Sequence, residues 1–365
     1  MFALSESFSM SGYQKRSGTF AVRLLILLII CVFGRPAEAE TNIYVFVPGR
    51  KVFNKAVIAP GTNEPDLWFQ VTSFNGVFDG NNFAISNLNC KSEEADYTGL
   101  FGHVINGTIK DLKLVNAKID AGTGNYVGSL VGMNIYGTIS GCSVQGGSVT
   151  GGKYVSGLVG YNAGLIMDSC SNTIVLGIIV IGGLVGDSWE SINQCHSLCI
   201  VTGGDATGGL VGCNAWGNIA DSYSMGKVSG SWGVGELVGD NSGIIIHCYS
   251  TDTVSGNWTI GGLVGYNRDG SITDSLWDTE SSGQYDMCGS QSPEASGCGN
   301  ASGKTTVEMQ TASMFINTGW DFVDETANGT EDIWWIFEGR GYPRFAWELI
   351  EGESGAFAEN LPSGQ

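Results

Sequence analysis

Histidine and proline are almost missing from this sequence, with three of the first and seven of the second in 365 residues. No H-E-x-x-H occurs, and the three histidines lie far apart in the sequence, so a zinc centre of the metallopeptidase kind is not expected. His103, His196 and His247 read instead as isolated wall residues, the last two 51 positions apart. Basic residues are scarce as well: 17 Lys and Arg stand against 36 Asp and Glu, a formal net charge of −19. Such an excess repels phosphate backbones and anionic bilayers, which excludes nucleic acid as a partner. Long apolar runs are missing after the N-terminus, so no integral membrane span is expected once the leader is removed. That leader has a basic stretch with Lys15, Arg16 and Arg23, an apolar run Leu24 to Phe33, and a small-x-small site at Ala37-Glu38-Ala39. Residues 1–39 therefore read as a signal peptide, and the remainder as secreted or held at the cell surface.

Glycine is abundant, 56 residues without a collagen triplet, beside an apolar fraction of 42%. The glycines imply many tight turns, and the apolar content is enough to bury a core. A motif of the form Gly/Ser-Leu-Val-Gly recurs with its Leu at Leu100, Leu130, Leu158, Leu184, Leu210, Leu237 and Leu263, at intervals of 26 to 30 residues. A second apolar stretch begins at Ile139, Ile166, Ile192, Ile219, Ile245 and Ile272, and a third short β-prone piece closes each unit. Glycine every few positions rules out paired amphipathic helices, and four propeller strands need more residues. The expected fold is all-β: a parallel β-solenoid (β-helix) of about seven coils with N- and C-terminal caps.

Two columns follow from stacking the coils. Four places after the Leu come Asn134, Asn162, Ser188, Asn214, Asn241 and Asn267, predicted as an amide ladder at a corner that Asn tolerates in the left-handed conformation. Three places after the Ile come Cys142, Ser169, Cys195, Ser222, Cys248 and Ser275. Those cysteines, two coils apart, are too distant for disulfides and read as small core residues.

The motif, its following Asn, and continuations such as Asp221-Ser222-Tyr223-Ser224 resemble the GLUG-motif repeats of bacterial secreted and surface proteins. The resemblance covers about residues 72–275. It is supported by Phe74 through Asn81 before the repeats and by Trp335-Ile336-Phe337-Glu338-Gly339, Tyr342-Pro343 and Trp347 after them. It implies an extracellular, adhesin-like β-solenoid. GLUG repeats also occur in immunoglobulin A-cleaving zinc peptidases, whose catalytic motif this sequence lacks. The chain divides into the signal peptide 1–39, an N-terminal β cap 40–92, the repeats 93–275, a C-terminal loop and aromatic cap 276–350, and a disordered tail 351–365. A helix is expected over Val307 to Phe315, and a disulfide between Cys288 and Cys298.

The candidate ligand-binding residues are Tyr126, Tyr154, Trp232 and Trp258, which precede the motif at one corner of the coils, with Trp189 and Trp216 at another. Rings along a solenoid edge suit a polysaccharide or an extracellular-matrix or host-surface protein. No cofactor is expected; calcium at Asp278-Thr279-Glu280 or at Asp321, Asp324 and Glu325 is a weak alternative, because neither has EF-hand spacing. A polysaccharide lyase or hydrolase is the runner-up, and its nearest carboxylate pair is Asp187 and Asp240, with Asp168, Asp221 and Asp274 in another column. A passive surface scaffold is the third reading. The leading expectation is a non-enzymatic adhesion or matrix-binding protein.

Overall fold

A computed structural model describes residues 41–47, 50–56, 58–60, 69–299 and 303–348, with side chains from residue 70. Residues 1–39, expected to be a signal peptide, and 351–365, expected to be a tail, lie outside the described residues. The chain winds into a parallel β-solenoid of about eight turns. One coil shows the pattern: Lys153–Ser156 forms a short face, Val159–Met167 the motif face and Cys170–Leu176 the back face. Each strand pairs in parallel with its counterpart one coil on, so Val159 meets Val185 and Val175 meets Val201. The extra turn arises because Phe69–Phe74, Val77–Asp79, Ala84–Ser86 and Asn89–Lys91 already form a coil ahead of the first motif. Much of the expected N-terminal cap is thus solenoid. Ahead of it, Thr41–Val47 and Arg50–Ala56 make an antiparallel pair.

The core keeps nearly one residue type per position. The motif Leu is buried in all seven repeats; beside it lies a buried Val in six and Phe101 in the first, and the second-stretch Ile from Ile139 to Ile272 is buried in each of its six coils. The Leu lies in the bend between short and motif faces, and the strand begins at the Val rather than spanning the whole motif. The motif's last glycine permits the tight corner: a Cβ on Gly160 would lie 2.6 Å from the backbone of Tyr126 one coil earlier.

The amide ladder is present, with a different basis from the one expected. Asn134 donates to Asn162 at 2.8 Å, Asn214 to Asn241 at 2.8 Å and Asn241 to Asn267 at 2.8 Å, all buried. None of these asparagines is left-handed; they are strand residues whose amides satisfy one another inside the wall. The left-handed corner is instead Asp111, Gly141, Asp168, Gln194, Asp221, His247 and Asp274, where the chain passes from motif face to back face. The Cys/Ser column also has a chemical reason. Each Ser hydroxyl accepts the backbone N–H of the Cys one coil before it: Cys142 on Ser169, Cys195 on Ser222 and Cys248 on Ser275, each at 3.1 Å. Seven free cysteines are found among the described residues.

The C-terminal segment caps only in part. Cys288–Gln291 extends the motif face past Val264–Asn267, and Cys288 is joined to Cys298 by a disulfide. Residues 303–348 fold back along the outer side of the back face, where they cover a stack of His196, Tyr223 and Tyr249. Trp320, Trp334 and Phe345 pack on it. The expected helix is two short ones, Thr306–Met309 and Ala312–Ile316. Asp278 anchors the segment: its carboxylate accepts from Glu280 and Ser281 backbone N–H groups, the Thr306 hydroxyl and the Tyr342 hydroxyl.

Candidate functional site

Two residues past each motif Val, side chains from successive coils line up in register as Tyr161, Asp187, Cys213, Asp240 and Tyr266. The order is aromatic, acid, thiol, acid, aromatic. Beside this column runs another, made by the left-handed residues of the short face: Tyr97, Tyr126, Tyr154, Val180, Ala206, Gly233 and Thr259. Its first three rings stack, Tyr97 on Tyr126 at 4.9 Å and Tyr126 on Tyr154 at 4.8 Å, nearly parallel. Then the side chains shrink to isopropyl, methyl and hydrogen beside Asp187, Cys213 and Asp240. A trough results, with an acidic floor. Tyr126, Tyr154 and Tyr161 bound one end, and Trp232, Tyr266 and Arg268 the other. Val180 holds φ +61°, a conformation that costs a β-branched residue energy.

The two acids differ in their partners. Asp187 is 8% exposed, and burial pushes its carboxyl up to about 6, partly offset by the Trp189 indole and the Cys213 thiol, with the Asp240 charge adding to the rise. Trp189 Nε1 donates to Asp187 Oδ2 at 3.1 Å. Asp240 is 6% exposed and its Oδ2 accepts from the Arg268 guanidinium at 2.6 Å. That guanidinium lies 5.2 Å from the centre of the Tyr266 ring. The Oδ1 atom of each aspartate accepts no hydrogen bond. Burial, then the charges of Asp187 and Asp240, push the Cys213 thiol up, so it is no thiolate nucleophile. The phenols of Tyr126, Tyr154 and Tyr161 are raised by burial and by the Asp187 charge. Asp187 and Asp240 sit two coils apart, about 9.6 Å at the usual strand spacing.

The four expected ring residues do not share one column. Tyr126 and Tyr154 stack in the left-handed column, whereas Trp232 and Trp258 pair one position earlier, following Asp205. Trp232 leans on Tyr266 at 5.4 Å, and Trp258 is 73% exposed. Trp189 and Trp216 are likewise offset, and only Trp189 reaches the trough. The sequence reading missed Tyr161, Tyr266 and Arg268. A column read through the position after the motif's last glycine would have found the two tyrosines.

The other candidates are committed elsewhere. His103 packs tilted against Tyr97 at 4.4 Å, His196 is buried beneath the C-terminal segment, and His247 lies 3.6 Å from Asp221. Asp168, Asp221 and Asp274 are left-handed corner residues. The Asp321 carboxylate accepts from Glu331 N–H, and that of Glu325 from Ala327 and Asn328 N–H. Among the described residues no three His, Cys, Asp or Glu side chains are grouped to hold a metal ion.

A family profile described as the GLUG motif matches residues 256–275. The chain carries the GLUG motif. The matched GLUG copy contains Trp258, Leu263 and Asn267, that is, a short-face ring, the corner Leu and the end of the amide ladder. A relative from Evansella cellulosilytica, described as "Putative Gly-rich membrane protein", is 38% identical over 144 residues. The match spans 39% of this chain and 12% of that relative's length. No solved structure matches the chain. No helix among the described residues is long and apolar enough to cross a membrane.

Proposed function

We propose that this GLUG-motif β-solenoid is a non-enzymatic extracellular or cell-surface protein whose trough holds an extended polysaccharide, and that it serves adhesion. The observation that carries this reading is the register of Tyr161, Asp187, Cys213, Asp240 and Tyr266, with rings at both ends and carboxylates between. Sugar rings stack on aromatic faces, and buried carboxylate oxygens without a donor accept hydroxyls. The name of the Evansella relative agrees with a place at the cell envelope. An acidic exterior favours neutral or cationic polymers over uronic or sulfated ones.

A hydrolase is the second reading, favoured by the raised carboxyl of Asp187 opposite an ionically paired Asp240. Their separation lies just past the upper end of the roughly 6.5 to 9.5 Å used by inverting enzymes. A glycan array followed by a depolymerisation assay separates the readings. Binding without turnover, weakened at least tenfold by Tyr154→Ala, supports adhesion. Turnover abolished in Asp187→Asn establishes the hydrolase, and no binding on the array leaves the passive scaffold.

A further inference from the structure

The two ends of the trough share a buried carboxylate beside a tyrosine and differ in the group that bonds the carboxylate, a cation at one end and a neutral indole at the other. At the far end a buried carboxylate, Asp240, stands next to a tyrosine, Tyr266, and a cation completes the set: Arg268 bonds Asp240 at 2.6 Å and lies over the ring at 5.2 Å. At the near end a buried carboxylate, Asp187, stands next to Tyr161, with Tyr126, Tyr154 and Trp189 around it. No Lys, Arg or His among the described residues pairs with Asp187, and its Oδ1 accepts no hydrogen bond. A carboxylate so far desolvated, set among aromatic rings, bonded only to a neutral indole N–H and lacking a counter-ion, is stabilised by a cation brought beside it. We infer that the Tyr161–Asp187 end of the trough is a binding site for an ammonium group, and that the polysaccharide it holds carries free amino groups.

This inference rests on the polysaccharide reading and narrows its ligand. The acidic chain, at −19, draws a polycation toward the trough before contact. The rings then select a charged amine over a neutral acetamide. The groups facing Asp187 do not compete for its charge near neutrality: the three phenols and the Cys213 thiol are pushed up and stay protonated, and Asp240 is paired with Arg268.

The test is calorimetry of the whole mature chain with three glucosamine hexamers: free amine, N-acetylated, and trimethylated so that its charge is independent of pH. The free-amine and trimethylated hexamers are expected to bind at least tenfold tighter than the N-acetylated one at pH 7. Asp187→Asn, which removes a buried charge and keeps the fold, is expected to abolish that preference. Arg268→Ala frees Asp240 to act as a second acceptor and is expected to tighten the trimethylated hexamer about threefold. Its affinity should fall as pH drops through about 6, where Asp187 takes a proton. Equal affinity for amine and acetamide overturns the ammonium site while leaving the polysaccharide reading intact. Binding of a lysine peptide with no hexamer bound overturns both, and undiminished amine preference in Asp187→Asn overturns the role of Asp187.

Discussion

Ser188 leaves Asn214 without a donor. The Ser188 hydroxyl accepts from Asn162 and donates to the Glu190 carbonyl, so the Asn214 Oδ1 atom stays buried and unbonded. The amide ladder is split in two at this rung. Asparagine occupies the equivalent place on both sides, so Ser188→Asn should rejoin the halves and stabilise the protein by about 1 kcal/mol, the net worth of a buried hydrogen bond. Thermal unfolding checks it: an unchanged or lowered Tm would show that the break is held open by something other than the missing amide.

Glu236 occupies a position where most other coils have glycine, just before the motif Leu. It is fully buried, neither carboxyl oxygen makes a well-formed hydrogen bond, and burial followed by the charges of Asp252 and Asp278 holds its pKa well above the usual range, against a partial pull down from the Ser250 hydroxyl and the Thr251 N–H. A raised carboxyl makes the folded state bind the extra proton, so stability is greatest below the ordinary carboxylate pKa and falls as pH rises past it. Glu236→Gly should raise stability at pH 8 by about 2 kcal/mol or more, the cost of an unbonded buried polar group. The gain should shrink toward pH 4. Denaturant melts at the two pH values decide this, and a gain independent of pH would count against it.

His196 acts in the opposite direction. Burial and the nearby Arg344 guanidinium push it down to about 3, and this outweighs Glu348, which lies 3.5 Å away and whose own carboxyl is raised by burial. The imidazole is thus neutral in the fold, stacked 4.8 Å from Tyr223. A depressed histidine keeps its contribution above its free pKa, near 6.5, and loses it as pH falls toward 3. Residues 303–348 should therefore loosen from the back face in acid, seen as a red shift of Trp320 and Trp334 fluorescence. His196→Phe should hold the stack and remove most of that shift.

Asp278 ties the solenoid's last coil to the segment that covers its back. Asp278→Ala strands the hydroxyls of Thr306 and Tyr342 and removes the cap of the helix Thr279–Ser282. A loss of about 3 kcal/mol is expected from hydrogen bonds to a charged group. Limited proteolysis should cut first between 303 and 348, leaving the coils intact; simultaneous cleavage throughout would show that the segment and the solenoid unfold as one.

The periodic parts of the molecule could be read from the sequence because stacking demands the same chemistry at the same place. Leu158 and Leu184, or Asn241 and Asn267, match because each fills the slot above its predecessor. The trough broke that rule. Tyr161, Asp187, Cys213, Asp240 and Tyr266 share only position, so a search for like residues pairs the two acids and leaves the rings and the thiol out. The one-residue offset between Tyr154 and Trp232 was hidden as well, since a left-handed residue skipped by the ladder changes which side chain meets its neighbour. The cover over His196, Tyr223 and Tyr249 was illegible for another reason: Tyr223 meets Glu348 across 125 residues, and nothing local signals it.

The alternation of Cys142, Ser169, Cys195, Ser222, Cys248 and Ser275 gives the stack a parity. A coil is not an interchangeable brick, because each serine serves the cysteine before it. Excising the coil of Ser169 or Ser222 would place two cysteines on adjacent rungs, about 4.8 Å apart, within reach of a disulfide in an oxidising space, and excising that of Cys195 or Cys248 would place two serines there. Excising two would restore the pairing. A solenoid of this kind is lengthened or shortened cleanly only in even steps.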